Sequence, residues 1–240
     1  MIIVILTVNE KGDKLYEKLK TLVNYDIIIK KFPLVCKNYG TDTNQETSDS
    51  SSCIKKSIWD NTLECIKYGL QYDDYVCVLQ DDFIPYDNIN DNIINCENFI
   101  KHNQNTDLVF LSSHPGTIFE NTVNKNIAKV KSKQTGWESV IFTKSFLDKV
   151  KHYTIKIPYG VHSDVYFNKY YKNNKINAYM HIPSSGRQST ELFMRKLQYN
   201  ILYDWRYNCK YGDPLLYICY IVFIFIFIFI LIVIFKKLRK

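Results

Sequence analysis

The sequence predicts an α/β fold: an open sheet with helices, followed by a membrane-spanning segment. Three observations carry this. Residues 2–8, IIVILTV, are an unbroken apolar run, the pattern of a strand buried on both faces as in parallel sheets. Short apolar runs then alternate with longer stretches of helical periodicity. Residues 215–235, LLYICYIVFIFIFIFILIVIF, hold 21 residues without a charge. At 1.5 Å per residue such a helix crosses a hydrocarbon core of about 30 Å.

The elements follow in order. After the first strand, KGDKLYEKLKTLV places Leu15, Leu19 and Leu22 at helical spacing, with Asp13 as a plausible cap. YDIIIKKF is a second strand. Residues 37–53 are polar and turn-rich, a mobile loop that either lids a site or is a plain surface insertion. An amphipathic helix follows, with Ile54, Ile58, Thr62, Ile66 and Leu70 on one stripe beside Trp59 and Leu63. A strand over 75–79 ends in Asp81 and Asp82, and an apolar loop, Phe83-Ile84-Pro85, comes next. NINDNIINCENFIKH reads as a helix and DLVFLSS as a strand. Residues 114–135 are polar and without clear periodicity. Gly136 then turns the chain into a short strand, and a helix starts near Thr143. Another helix is capped near Ser163, INAYMHIP is a last strand, and SSGRQST is a tight polar loop. The expected organisation is a domain over 1–190, a connector over 191–214, a span over 215–235 and a basic tail over 236–240. No internal repeat is visible.

Composition narrows the function classes. At 46% hydrophobic and 15% aromatic the chain is globular rather than disordered. Its Asn, Lys, Ile and Tyr richness suggests an AT-rich genome, such as that of a large DNA virus or of certain protists. Net charge is +7, but Lys236, Lys237, Arg239 and Lys240 supply four of those charges, so the remainder gives no reason to expect a nucleic-acid partner. Those four residues set the positive-inside rule against an N-terminus that begins MIIVILTV without a signal pattern. A tail anchor with the domain in the cytosol reconciles the two. Seven cysteines without a CxxC pair, and the absence of an Asn-x-Ser/Thr sequon, agree with a reducing compartment.

Asp81 and Asp82 carry the chemical signal. In an open α/β sheet, ligands bind beyond the carboxyl ends of the strands. Two adjacent carboxylates there repel each other and lose water unless a cation joins them. A hard ion, Mg²⁺ or Mn²⁺, takes oxygen ligands and bridges to phosphate. The competing explanation is structural: one acid caps the following turn and the other faces water.

SIWDNTLECIKYGLQYDDYVCVLQDDFIPYDN resembles the centre of the GT-A glycosyltransferases, in particular family 25, the lipopolysaccharide and collagen β-galactosyltransferase type. TGWESVIFTKSFLDKV, HSDVYFNKYY with Pro158 shortly before it, and HIPSSGRQST resemble later segments of that family in the same order, over about residues 50–190. Two features depart from the pattern. The triplet is Gln80-Asp81-Asp82 rather than Glu-Asp-Asp, and Ile54-Lys55 stand near the place of a Ser-His pair.

The resemblance implies a GT-A-like, Rossmann-like nucleotide-sugar domain and metal-dependent transfer of a sugar from a nucleotide-sugar donor to a glycan, protein or lipid acceptor. It implies that Asp82, with Asp81, holds Mn²⁺ or Mg²⁺ on the diphosphate, and that His181 is a further candidate ligand. Arg187, Lys55 and the Ser184-Ser185-Gly186 loop are candidates to meet the phosphates, and Thr7 and Asn9 to approach the nucleotide. Asp164 is the first candidate base, then His162, then Glu138. Trp137 either stacks on a sugar or packs in the core. Two other readings stay open: a catalytically degenerate, membrane-anchored binding or scaffold protein, and an unrelated α/β enzyme or viral membrane structural protein.

Overall fold

The computed structural model describes residues 1–32, 50–112, 117–121, 126–132, 134, 136–158, 161–182 and 184–188, all within one unit, Met1–Glu191. The expected connector, span and tail, and the polar stretch over 37–49, lie outside the described residues. Among the described residues no helix is long and apolar enough to cross a membrane.

The apolar runs form the strands of one eight-stranded sheet. Strands β1 (Ile2–Thr7), β2 (Ile27–Lys31), β3 (Tyr75–Gln80), β5 (Leu108–Phe110), β6 (Ile118–Asn121), β7 (Ile127–Ser132), β8 (Ser139–Thr143) and β9 (Ala178–His181) lie in the order β2-β1-β3-β8-β5-β9-β7-β6. The sheet is mixed, not parallel throughout. β1 runs parallel to β2 and β3, and β5 parallel to β9, but β8 is antiparallel to both β3 and β5, and β7 is antiparallel to β9 and β6. It follows that β1, β2, β3, β5 and β9 all end at one edge of the sheet, where β8 begins.

Side chains alternate across the pleat. Val4, Leu6, Val76, Val78, Val140 and Phe142 enter one core, and Ile3, Ile5, Cys77, Leu79 and Ile141 the other. The first core is covered by α2 (Ser50–Gly69), α4 (Lys144–His152) and α5 (Ser163–Lys172), and the second by α1 (Lys11–Leu19) and α3 (Ile89–His102). The outcome is a three-layer α/β/α sandwich.

Local chemistry explains the boundaries. Thr143 caps α4, its hydroxyl accepting from the Phe146 backbone N–H. The stripe that α2 buries runs through Trp59, Thr62 and Ile66 to Leu70 just past its end, while Ile54 is exposed. The expected loop over 37–53 therefore gives way to helix from Ser50. Trp59, Phe142, Phe146 and Phe167 surround Trp137, with centroids 5.5 Å from Trp59 and 4.9 Å from Phe167. These edge and tilted contacts tie α2, α4 and α5 to β8.

Two segments expected to be loops are strands. Phe83-Ile84-Pro85 is β4, and Gly186–Gln188, within the expected polar loop, is β10; they pair antiparallel across about a hundred residues of chain. Gly186 is needed there, because a Cβ would meet the Ile84 carbonyl and the Phe83 ring.

Candidate active site

The carboxyl edge gathers the chemical side chains because of strand direction. Thr7 ends β1, Asp81 and Asp82 follow β3, Ser112 follows β5, and Glu138 immediately precedes β8. Register makes β3 and β8 direct neighbours: Leu79 faces Ser139, and the Gln80 N–H donates to the Glu138 carbonyl at 2.9 Å.

Asp81 is held at two points. Its N–H donates to the Leu6 carbonyl, and its Oδ2 accepts from the Thr7 hydroxyl at 2.7 Å. The Asn9 N–H donates back to Thr7 Oγ1 at 3.2 Å. Thr7 and Asn9 thus shape the turn after β1 and fix one carboxylate. Thr7→Val keeps the side-chain shape and strips Asp81 of this donor. It is expected to cost about 1–2 kcal/mol in urea denaturation, since the acceptor is charged and half-buried.

Glu138 is buried at 2% exposure. Its Oε1 accepts from the Ser112 hydroxyl at 2.8 Å, and Ser139 donates in turn to Ser112 at 2.8 Å. Its Oε2 has no hydrogen-bond partner among the described residues. Burial, then the charge of Asp82, then that of Asp164 push its carboxyl up to about 7, while its own backbone N–H and Ser112 pull the other way.

A clamp from α5 sets this geometry. Asp164 and Asn168 are four residues apart and so share a face of the helix. Asp164 Oδ2 accepts from the Gly136 N–H at 2.7 Å. Asn168 pairs with the Gln134 backbone in both directions, at 2.9 and 3.0 Å. The clamped segment contains Gly136 at φ +89°, where a Cβ would run into Glu138 Oε2. Gly136→Ala is expected to cost about 1–3 kcal/mol in chemical denaturation and to displace the Glu138 carboxylate.

Sequence-chosen residues divide accordingly. Thr7 and Asp81 touch, and Asp82, Glu138 and Asp164 are electrostatic neighbours. Asp164 does not stand as an unencumbered base: Gly136 and Val165 N–H groups occupy both of its oxygens, at 2.7 and 2.6 Å. His162 is the exposed N-cap residue of α5 without a side-chain capping bond. Trp137 sits in the aromatic core at 4% exposure, so the packing alternative holds and the stacking one does not. Ser185 is fully buried and structural: its N–H donates to Leu111, its carbonyl accepts from Tyr86, and its hydroxyl accepts from Asn92. Arg187 lies opposite Ile84 in the β10–β4 pair. Lys55 is half-buried near the start of α2. His181 ends β9, where it is buried and pairs with Ile127 of β7. Ser112 and Ser139 escaped the sequence reading because isolated serines carry no periodic or spacing signal.

Among the described residues no three His, Cys, Asp or Glu side chains form a ready metal cage. The local donors are carboxylate oxygens, which suits a hard ion that keeps waters and takes phosphate oxygens. Asp82 with Asp81 would hold it, and it would supply charge neutralisation on a diphosphate.

The fold and site together define an α/β/α protein with an acidic carboxyl edge. No protein-family model matches the chain. No curated protein is significantly similar to it. Solved structures similar to it include CMP:2-keto-3-deoxy-manno-octonic acid synthetase complexed with CTP, at 8% identity over 86% of this chain and 82% of that chain, TM-score 0.41. Apo UDP-glucose pyrophosphorylase is 9% identical over 78% and 75%, TM-score 0.40. A glycosyltransferase involved in glycosylation of the major capsid of PBCV-1 is 11% identical over 76% and 93%, TM-score 0.33. Scores of this size describe a loose likeness of backbone arrangement and do not bear on activity.

Proposed function

We propose that this chain is a membrane-anchored, GT-A-like glycosyltransferase that binds a nucleotide-sugar donor and depends on Mn²⁺ or Mg²⁺. One contrast supports the reading most. Asp107 is also fully buried, and it accepts from Ser145, Lys149 and the Asn177 N–H. Glu138 is buried with one side-chain donor, an orphaned oxygen and two acids as neighbours. A fold that only needed an acid there would have partnered it as it does Asp107.

In this reading Asp82 and Asp81 face the donor diphosphate through a divalent ion, which stabilises charge on the leaving group. Glu138, held by Ser112, is the group that exchanges a proton near neutral pH. Asp164 positions it through Gly136. The span over 215–235 tethers the domain, with the tail crossing the bilayer. A second reading has its own support: Asp81 and Asp164 are already occupied by structural hydrogen bonds, as in a catalytically degenerate binding or scaffold protein.

Thermal unfolding of the full chain in detergent, against UDP-, GDP- and CMP-sugars with and without Mn²⁺, separates the two. A ligand at a hundred times its dissociation constant adds about 2.7 kcal/mol. A metal-dependent upward shift for one sugar nucleotide is expected. A flat panel from a folded protein would select the scaffold reading.

A further inference from the structure

Away from the acidic edge, positive charge concentrates in one stretch of the chain, α4, α5 and the turns that follow them. Residues 144–175 contain seven lysines, two aspartates and no glutamate or arginine, in a chain whose net charge is +7 with four of its basic residues in the tail. Two of the seven lysines are engaged elsewhere: Lys144 with Asp74 at 2.7 Å and Lys149 with Asp107 at 2.6 Å. Of the two aspartates, Asp164 is turned inward to Gly136, and Asp148 alone is exposed, on α4.

The outer side of α5 and the end of α4 join this charge to an aromatic strip. Tyr153, Tyr170 and Tyr166 neighbour one another with centroids 6.3 and 6.0 Å apart. Lys169 Nζ lies 3.7 Å from the centre of the Tyr166 ring, and Lys175 Nζ lies 5.3 Å from that of Tyr153. Tyr153, Lys169, Lys172 and Lys175 are exposed, and Val165 beside them is 52% exposed. Tyrosines with an apolar ring and a polar tip, flanked by lysines with long apolar stems, match the chemistry of a bilayer interface. Exposed Tyr and Val are not needed to keep a lysine-rich face in water.

We infer that the α4–α5 face docks on an anionic bilayer, with its tyrosines at headgroup depth and Lys169, Lys172 and Lys175 against lipid phosphates and carboxylates. The inference rests on the anchoring reading for one thing: that a membrane is close to the domain. Charge then selects which face turns to it, and each lysine near an anionic surface strengthens contact about fivefold.

The test adds the full chain to vesicles of phosphatidylcholine alone, or with phosphatidylserine, and measures amine labelling by mass spectrometry. Lys14 on α1 and Lys101 on α3, exposed on the opposite layer, serve as references. Flotation with phosphatidylcholine vesicles reports the anchor alone. Expected is severalfold slower labelling of Lys169, Lys172 and Lys175 on the serine-containing vesicles only, reversed by high salt. Lys151, exposed at the end of α4, should be protected with them, and the variant Lys169→Glu/Lys172→Glu/Lys175→Glu, with an unchanged circular dichroism spectrum, should lose that protection of Lys151. Equal labelling on both vesicles overturns the docking face, whether or not the chain floats. Failure to float on phosphatidylcholine overturns the anchor and leaves the labelling comparison to decide the face.

Discussion

Asp82→Asn is expected to lower metal-dependent transfer or hydrolysis of a sugar nucleotide by at least about 100-fold while the protein stays folded. Charge neutralisation by a metal ion is worth several kcal/mol of transition-state stabilisation, and each 1.36 kcal/mol is about tenfold in rate. The substitution keeps the size of the side chain and removes its charge. It also relieves Glu138 of the second-largest influence raising its pKa, so the thermal midpoint should stay level or rise at neutral pH. Asp81→Asn is a graded comparison. An Asn oxygen still accepts from the Thr7 hydroxyl, so that variant should lose metal affinity without losing the turn after β1. Steady-state kinetics against Mn²⁺ concentration reads both. Wild-type activity in Asp82→Asn would remove the metal argument.

What the sequence made legible follows the physics of each element. The strands β1, β3 and β8 are apolar runs buried on both faces, and the helices α2 and α3 are long and amphipathic; burial on the sheet is what both patterns report. Thr143 was legible as a helix start because the capping signal is local. The β4–β10 pair was not, because three-residue strands show no alternation and their hydrogen bonds join distant segments. The mixed direction of the sheet was equally hidden: a buried run such as SVIFT reads the same whether its neighbour is parallel or antiparallel. At the site, Asp81-Asp82 announced itself as adjacent charge after an apolar run. Glu138 was visible only as an acid beside a glycine turn. Its importance arises from burial and from Asp82, neither of which is local. Asp164 stood first among the candidate bases through the resemblance of HSDV to a family segment, and its contact with Gly136, 28 residues away, was not legible locally.

Glu138→Gln tests whether the buried carboxyl is kept for chemistry against the interest of the fold. The carboxyl rises from about 4.5 to about 7 in the folded protein. Below about pH 4.5 it is protonated in both folded and unfolded chains and makes no difference between them. Between about 4.5 and 7 the folded chain holds a proton that the unfolded chain releases, so stability falls as pH rises through that window. Above about 7 both are ionised and the full penalty is present, on the order of 3 kcal/mol for a shift of this size. Gln is uncharged throughout. At pH 5 the substitution exchanges one neutral group for another. It should be level or slightly destabilising, since Oε1 can still accept from Ser112 while the new amide hydrogens lie where Oε2 had no partner. At pH 8 it should be stabilising by up to about 3 kcal/mol. Urea denaturation of metal-free protein at the two pH values measures the difference, and a gain independent of pH would show that Glu138 is not ionising in the fold. The same variant should be inactive. A substitution that stabilises the protein at pH 8 and abolishes turnover identifies a position where folding alone would not have kept an acid. Its neighbours are the reason to expect that outcome at Glu138: the strand pairing sets β8 beside β3, the charge of Asp82 acts on its carboxyl, and its Oε2 has no hydrogen-bond partner among the described residues.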